Sequence, residues 1–303
     1  MVRRALRSAR TVPGLVSAMT NAVTATALRQ LSAERIADAA VGALLTEALL
    51  TPKPGLVDGS AQHSHPDMNL ALLAVSAEAL RDPLRECADA ARSMSLGLDL
   101  RVRIGAIGRA GERRMLTTTG GVNTHRGSLW ALGLLSAGLA AAENTAGAVA
   151  FAARLARLPD SARIVIRSVS HGERARMRYG AGGAVGEAQD GFPHVVSYGL
   201  PMLRSCRQRG ASTDAGALNA LMAIMATLDD TCVLHRGGLR GLDFVHRSAA
   251  GVLSSGGCAT PAGHRRLERF CRQAHRRGLS LGGSADLLAA TLFLDAVTPA
   301  EGG

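Results

Sequence analysis

The chain has 303 residues and a formal net charge of +11, and alanine (54 residues) and glycine (35 residues) make up nearly a third of it. Its eight aromatic residues are too few and too scattered to stack the bases of a single-stranded nucleic acid. Glycine follows no fixed period, which excludes a collagen-like chain, and 47% of the residues are apolar, which excludes a low-complexity chain.

The basic residues are almost all arginine: 34 of 35, with Lys53 the exception. Together with the alanine content, this bias is typical of a GC-rich coding background. The charge alone does not choose among nucleic acids, acidic membranes and polyphosphates as partners. The five cysteines include no C-x-x-C pair, which predicts reduced thiols in a cytoplasmic protein.

Three regions are expected along the chain. Residues 1–33 contain no acidic residue and begin with several arginines, as a targeting peptide does, but polar residues interrupt the apolar stretch that follows. We therefore expect residues 1–33 to be a poorly ordered N-terminal extension, residues 34–297 a helical domain that carries the functional residues, and residues 298–303 a C-terminal tail. The longest apolar run, residues 129–142, is too short to span a bilayer, so we expect no membrane partner.

Apolar residues recur at helical spacing in eight segments of the chain. These segments are residues 36–50, 68–80, 129–142, 146–158, 218–228, 239–253, 267–274 and 285–296. Only residues 164–166 and 195–196 resemble strands, and both are too short to build a sheet. No linker or internal repeat divides the chain. The sequence predicts an all-α fold, a single multi-helical domain with functional loops at the helix ends.

The first polar loop, residues 51–67, holds Lys53 between two prolines, which keep the backbone extended. A compact ammonium on a stiff frame suits a phosphate group, and an ordinary surface lysine in a turn is the alternative. The same loop contains His63-x-His65-x-Asp67, a weak set of metal ligands. Asp67 could instead cap the helix that follows.

The second polar loop, residues 117–127, runs into the helix predicted to start near Ser128. Backbone N–H groups at that helix start, with His125 and Arg126 beside them, form a candidate phosphate cradle. Ordinary capping of the helix by Asn123 or by Thr124 is the alternative.

Two further helix starts carry acidic residues. Asp229 and Asp230 are adjacent, and because their charges repel, a Mg²⁺ ion is one way to keep both ionised. The alternative is that one of them caps a helix. The last helix opens with Gly-Gly-Ser-Ala-Asp, in which Ser284 and Asp286 could bind an anion or a metal-bound water, or Ser284 could be an N-cap.

Two glutamates lie among apolar or small residues and need partners if they are buried. For Glu47 and Glu187 we expect those partners at Lys53, His125 or Arg236. Four arginines share one face of the segment near residues 267–274, and we favour a solvated amphipathic helix over a polyphosphate or membrane patch. They are Arg265, Arg269, Arg272 and Arg276.

These loops form six ordered blocks, which read TPKPGLVD, SHPDM, GVNTHRG, GEAQDGFPHV, DTCVLHRGG and LSLGGSADLLAATLFL. From about residue 36 to residue 294 the series resembles the triphosphoribosyl-dephospho-CoA synthase family. The chain departs from that pattern at four positions. His63 stands in place of glycine, Val185 in place of arginine, Cys232 in place of asparagine and Leu281 in place of proline.

The resemblance implies an all-helical enzyme that joins ATP to 3′-dephospho-CoA. The 2′-hydroxyl of dephospho-CoA displaces adenine from the ribose of ATP and inverts the linkage from β to α, so no covalent enzyme nucleophile is required. The product is the precursor of the prosthetic group of an acyl carrier protein and passes to a transferase that attaches it. The forms of TPKPGLVD and DTCVLHRGG are closer to the malonate decarboxylase branch than to the citrate lyase branch.

The chemistry and the resemblance together assign roles. Breaking the bond between adenine and ribose needs a carboxylate near the sugar, for which we expect Glu187 or Asp286, and a proton donor or base, for which we expect His125 or His235. The residues expected to bind the nucleotide are Lys53, Asn123, Arg126, Arg236 and Ser284, and those expected to hold Mg²⁺ are Asp67 and Asp229 or Asp230.

Two other classes remain open. One is a helical Mg²⁺-dependent phosphohydrolase or ribosyl hydrolase that uses the same residues with water. The other is a non-catalytic nucleotide- or nucleic-acid-binding protein, which only the charge suggests. We favour the transferase, with no nucleic-acid partner.

Overall fold

Helices form the regular structure of this computed structural model, which describes residues 31–60, 65–160 and 171–298. The helices are α1 Ala33–Leu49, α2 Leu70–Ala79, α3 Arg81–Ser93, α4 Leu98–Thr118, α5 Arg126–Ala141, α6 Thr145–Arg157, α7 His171–Tyr179, α8 Gly183–Gln189, α9 Leu200–Gln208, α10 Thr213–Met225, α11 Thr231–Ser254, α12 Pro261–Arg276 and α13 Gly282–Val297. A π-helical turn, Val195–Gly199, precedes α9. These residues contain no strand, and the all-α prediction is confirmed.

Each of the eight predicted helical segments falls on a helix. Residues 195–196, one of the two strand-like pairs, lie in the π-helical turn, and residues 164–166 lie outside the described residues. Helices α3 and α4 were not predicted. Small residues make up most of the buried face of α3, and an arginine and a glycine lie within the buried face of α4. The buried side of α3 is largely alanine and cysteine, and α4 brings Gly111 against Pro83 and Leu129.

The start of α2 corrects one alternative. The helix begins at Leu70, and its N-cap is Asn69, whose side chain accepts a hydrogen bond from the Leu72 N–H at 2.9 Å. Asp67 is exposed and precedes that cap, so it does not cap the helix.

Helices α5 and α13 lie at the centre of the core. Nearly every residue of α5 from Ser128 to Leu139 is buried, and α5 contacts α1, α3, α4, α6, α8 and α13. Helix α12 is amphipathic as predicted: its arginines are exposed, while Leu267, Phe270 and Ala274 face the core. The five cysteines form no disulfide. None of the described helices combines the length and the apolar composition that crossing a bilayer requires.

Candidate active site

A cavity of about 440 Å³ opens where the N-terminal ends of α5, α11 and α13 meet. The loop that contains Lys53 and the short helix α8 close it on the other sides. Most of the predicted site residues line it. They are Lys53, Asn123, His125, Arg126, Glu187, Asp229, Asp230 and Asp286. Polar loops that are far apart in the sequence therefore build one site.

The other predicted residues lie elsewhere. His235 and Arg236 are exposed on α11 and do not line the cavity, and Arg236 donates to the Gly278 carbonyl at 3.3 Å. Asp67 is exposed and also lies outside the lining. Ser284 is fully buried beneath it. His63 lies outside the described residues.

Lys53 is held by the protein itself. Its side chain is almost fully buried, and Nζ donates to Glu47 Oε1 at 2.7 Å, to the Glu47 carbonyl, and to the Ala48 carbonyl at 3.3 Å. An ammonium has three hydrogens, so these contacts use all of its donors. The structure thus confirms Lys53 as the partner of Glu47, and it replaces the expected phosphate-facing ammonium with a buried ion pair.

The backbone around Lys53 is equally constrained. The Lys53 N–H donates to Asp58 Oδ2 at 2.7 Å, and Gly55 has a φ of +64°. A β-carbon on Gly55 would meet the Leu279 carbonyl oxygen at 2.9 Å. Only glycine fits this close approach, which brings the loop against the residues that precede α13.

His125 presents a neutral imidazole to the cavity. The residue is 4% exposed, its Nδ1 lies 2.9 Å from Ser76 Oγ, and Ser76 Oγ lies 2.6 Å from Thr124 Oγ1. Its Nε2 is buried and has no partner among the described residues. Burial, and next the charge of Lys53, lowers the pKa of His125 to about 4. At neutral pH the ring is therefore uncharged and has one nitrogen available to a bound molecule.

Glu187 is buried on α8 and lines the cavity, but its partner is not among those we expected. His194 holds both of its oxygens: the His194 N–H donates to Oε1 at 2.9 Å, and Nδ1 lies 2.7 Å from Oε2. Burial lowers the pKa of His194, but the hydrogen bond and charge of Glu187, a hydrogen bond to the Thr227 backbone and the charge of Asp229 together hold that pKa above its usual value. The sequence contained His194 in the GFPHV block, but no pattern paired it with Glu187.

Asp230 is fully engaged in joining two helices. It is the N-cap of α11, as one alternative proposed, and its Oδ1 accepts from the Cys232 N–H at 2.9 Å. Its Oδ2 accepts from the Ser284 N–H at 2.8 Å and from Ser284 Oγ at 2.9 Å. The N-cap of α13 is Leu281, so the capping alternative for Ser284 is wrong. Burial raises the pKa of Asp230, and the hydrogen bonds from Ser284 and Cys232 offset part of the rise.

Asp286 lies on the first turns of α13, next to the start of α5. It accepts a short hydrogen bond from Ser128 Oγ and packs against Gly127, where a β-carbon would overlap its carboxylate. Burial raises the pKa of Asp286 to about 7, the hydrogen bond from Ser128 opposes the rise, and the charges of Asp230 and Glu47 add to it. Near neutral pH this carboxyl can therefore carry and release a proton.

The donor set does not fit a resident metal centre. No group of three or more His, Cys, Asp or Glu side chains in the described residues is arranged to hold a metal ion. Asp230 already accepts three hydrogen bonds, and Asp67 lies outside the cavity lining. Of the three predicted metal ligands, only Asp229 is an exposed carboxylate on the cavity.

The cavity suits an anion at its mouth. The N-terminal ends of α5, α11 and α13 lie at the cavity, and the positive ends of their helix dipoles favour an anion there. Arg126, which pairs with Glu112, and Arg176 on α7 are exposed and line it. No motif singled out Arg176 in the sequence. Val185 and Cys232, two departures from the family pattern, also line the cavity, and burial raises the pKa of the Cys232 thiol, which stays protonated.

The all-helical fold and this site define a helical protein in which one cavity gathers buried carboxyl side chains and two exposed arginines. The family model described as ATP:dephospho-CoA triphosphoribosyl transferase matches residues 33–302, and the chain belongs to this family. It is a transferase of the triphosphoribosyl-dephospho-CoA synthase type, as the six blocks indicated.

The curated relatives agree. The chain is 50% identical to a "Probable 2-(5''-triphosphoribosyl)-3'-dephosphocoenzyme-A synthase" of Stutzerimonas stutzeri, over 89% of this chain and 93% of the relative. It is also 50% identical to a protein of the same description from Azotobacter vinelandii, over 93% of this chain and 98% of the relative. No solved structure matches the chain.

Proposed function

We propose that this enzyme transfers the triphosphoribosyl group of ATP to the 2′-hydroxyl of 3′-dephospho-CoA and releases adenine. The observation that carries the proposal is that two carboxyl groups of one cavity have different surroundings. Both Glu187 oxygens accept hydrogen bonds from His194, whereas burial and the charges of neighbouring carboxylates raise the pKa of Asp286 to about 7. One site can supply both an acid and a base when two of its titratable groups lie in different environments.

In the proposed reaction the bond from the 2′-oxygen to C1 of the ATP ribose forms as the bond from C1 to adenine breaks. Glu187 accepts the hydroxyl proton and stabilises the positive charge that develops on the sugar. Asp286 donates its proton to the departing adenine, and the proton on Glu187 restores it through solvent. Acid and base act on opposite faces of the sugar, as an inverting displacement requires.

His125 and the cavity mouth serve binding. A neutral imidazole with one free nitrogen is suited to a hydrogen bond with a purine nitrogen or with the attacking hydroxyl. Arg126, Arg176 and the helix N-termini are placed to hold the triphosphate, which is not cleaved. Mg²⁺ enters with ATP as part of the substrate, and Asp229 is the carboxylate that would contact it.

The decisive experiment incubates the protein with ATP, Mg²⁺ and 3′-dephospho-CoA and detects adenine by chromatography. We expect adenine release that depends on 3′-dephospho-CoA. Release of phosphate, or of adenine and free triphosphoribose without 3′-dephospho-CoA, would instead support the hydrolase. A folded protein that releases none of these products would refute the proposal, and Val185→Arg and Cys232→Asn would then be the first restorations to assay.

We further infer that the product serves malonate decarboxylase, through a transferase that attaches it to the acyl carrier protein. Support comes from the forms of TPKPGLVD and DTCVLHRGG. In a host that makes both decarboxylase and lyase, deletion of this gene should leave the malonate decarboxylase carrier protein unmodified in intact-mass spectra. Loss of the modification from the citrate lyase carrier protein alone would contradict the inference.

A further inference from the structure

The segment that follows α8 is irregular in a way that serves one side chain. Gly191 has a φ of +82°, and Phe192, a fully buried residue, has a φ of +55°. A bulky residue with positive φ is strained, and such residues gather at functional sites. Val195–Gly199, which begin three residues after Phe192, form a π-helical turn, another irregularity frequent at functional sites. His194 lies between these two features.

These irregularities bring His194 into contact with Glu187, which lies seven residues earlier in the sequence. The Phe192 N–H donates to the Glu187 carbonyl at 2.8 Å, which closes the turn. Tyr198, on the π-helical turn, stacks on the His194 ring, with ring centroids 5.6 Å apart and planes at 21°. The imidazole is therefore fixed between a ring and a carboxylate.

We propose that His194 is the positioning residue of the transfer: its N–H and Nδ1–H hold both Glu187 oxygens, so that the ionised carboxylate keeps one orientation toward the attacking hydroxyl. This inference rests on the proposed function for the role of Glu187. Each Glu187 oxygen has a second lone pair, which the hydrogen bonds from His194 leave open. His194 itself is not a residue of the cavity lining, so it acts through Glu187.

Two substitutions of His194 distinguish loss of the hydrogen bond to Glu187 from loss of side-chain volume. In His194→Asn the side-chain amide nitrogen lies close to the Nδ1 position, so the donor to Glu187 is kept. In His194→Leu that donor is lost, although the backbone N–H remains. We expect kcat for adenine release to fall about 100-fold in the leucine variant, as for a misplaced catalytic group, and less than about tenfold in the asparagine variant. KM for ATP and for 3′-dephospho-CoA should change less than about threefold in both variants.

His264→Asn is the control, because His264 is exposed on α12 and its Nε2 lies 3.6 Å from Glu268 Oε1 on the same helix. It should keep wild-type kcat. The proposal is overturned if the leucine variant, shown to be folded by circular dichroism, keeps wild-type kcat. It is also overturned if the asparagine variant is as slow as the leucine variant, or if the loss lies in KM.

A measurement without turnover separates this inference from the proposed function. The His194 ring is titrated by NMR in the wild-type protein and in Glu187→Gln. We expect the midpoint to lie above the usual histidine value in the wild type and to fall in the variant, because the carboxylate partner is lost. An unchanged midpoint would refute the pairing even in an active enzyme. A shifted midpoint in a protein that releases no adenine would refute the proposed function alone.

Discussion

Replacing Asp286 with asparagine tests the proton-carrying role most directly. Asparagine has nearly the same shape, and its oxygen can still accept from Ser128 Oγ. It cannot carry a proton to adenine. Because general acid catalysis contributes about 10²–10⁴-fold, we expect kcat to fall by that factor with little change in KM.

The same substitution should change stability in a pH-dependent way. A carboxyl whose pKa lies at about 7 instead of 3.8 is disfavoured in its ionised form by about 4 kcal/mol. Since the native pKa is raised, the native state binds more protons than the unfolded chain from about pH 4 to about pH 7. The wild-type protein therefore loses stability as the pH rises through this window, and the full cost is present above it.

Urea unfolding of both proteins at several pH values measures the effect. We expect Asp286→Asn and the wild type to be equally stable near pH 4, and the variant to be more stable by up to about 4 kcal/mol near pH 8. Asp243→Asn, at an exposed ion pair with Arg247, is the matched control and should show no such divergence. A variant that is inactive but equally less stable at every pH would refute the reasoning.

The pH dependence of kcat of the wild-type enzyme is a second test of Asp286 as the proton donor. If Asp286 donates a proton, kcat should fall above about pH 7, as the carboxyl ionises. The residual activity of Asp286→Asn should lack this limb. A wild-type profile that instead rises through pH 7 would make Asp286 a base and reverse its assignment.

Three further outcomes follow from the site. Lys53→Met should lower the free energy of unfolding, measured in urea, by about 3–5 kcal/mol, because it leaves Glu47 buried without a cation. Adding Glu47→Gln should recover most of that loss. Additive losses would show that the two residues are not coupled. Gly127→Ala should abolish adenine release, because the new β-carbon overlaps Asp286. Gly108→Ala, which has open space around it, should keep activity and raise the free energy of unfolding by about 0.5–1 kcal/mol. Arg176→Ala should raise KM for ATP about tenfold or more without lowering kcat, and an unchanged KM would remove Arg176 from the triphosphate site.

Much of the fold and the family could be inferred from the sequence by itself. Helices α5 and α13 were evident as long apolar segments, because both are buried on nearly every side, and α1 was evident from apolar residues at helical spacing. Glycine-bearing polar loops between the helices marked where the site would be built. Their order along the chain indicated the family, because functional residues gather on loops held by a rigid scaffold.

Only the tertiary structure decided what each charged group does. Lys53 was expected to face a phosphate, yet the fold turns its ammonium onto Glu47. Ser284 was expected to bind the nucleotide, with capping of α13 as the alternative, yet it donates to Asp230, 54 residues away. Protonation states such as that of Asp286 follow from burial and from charges contributed by other helices. These quantities depend on distances between residues far apart in sequence, and the packing of α5, α11 and α13 around one cavity sets those distances.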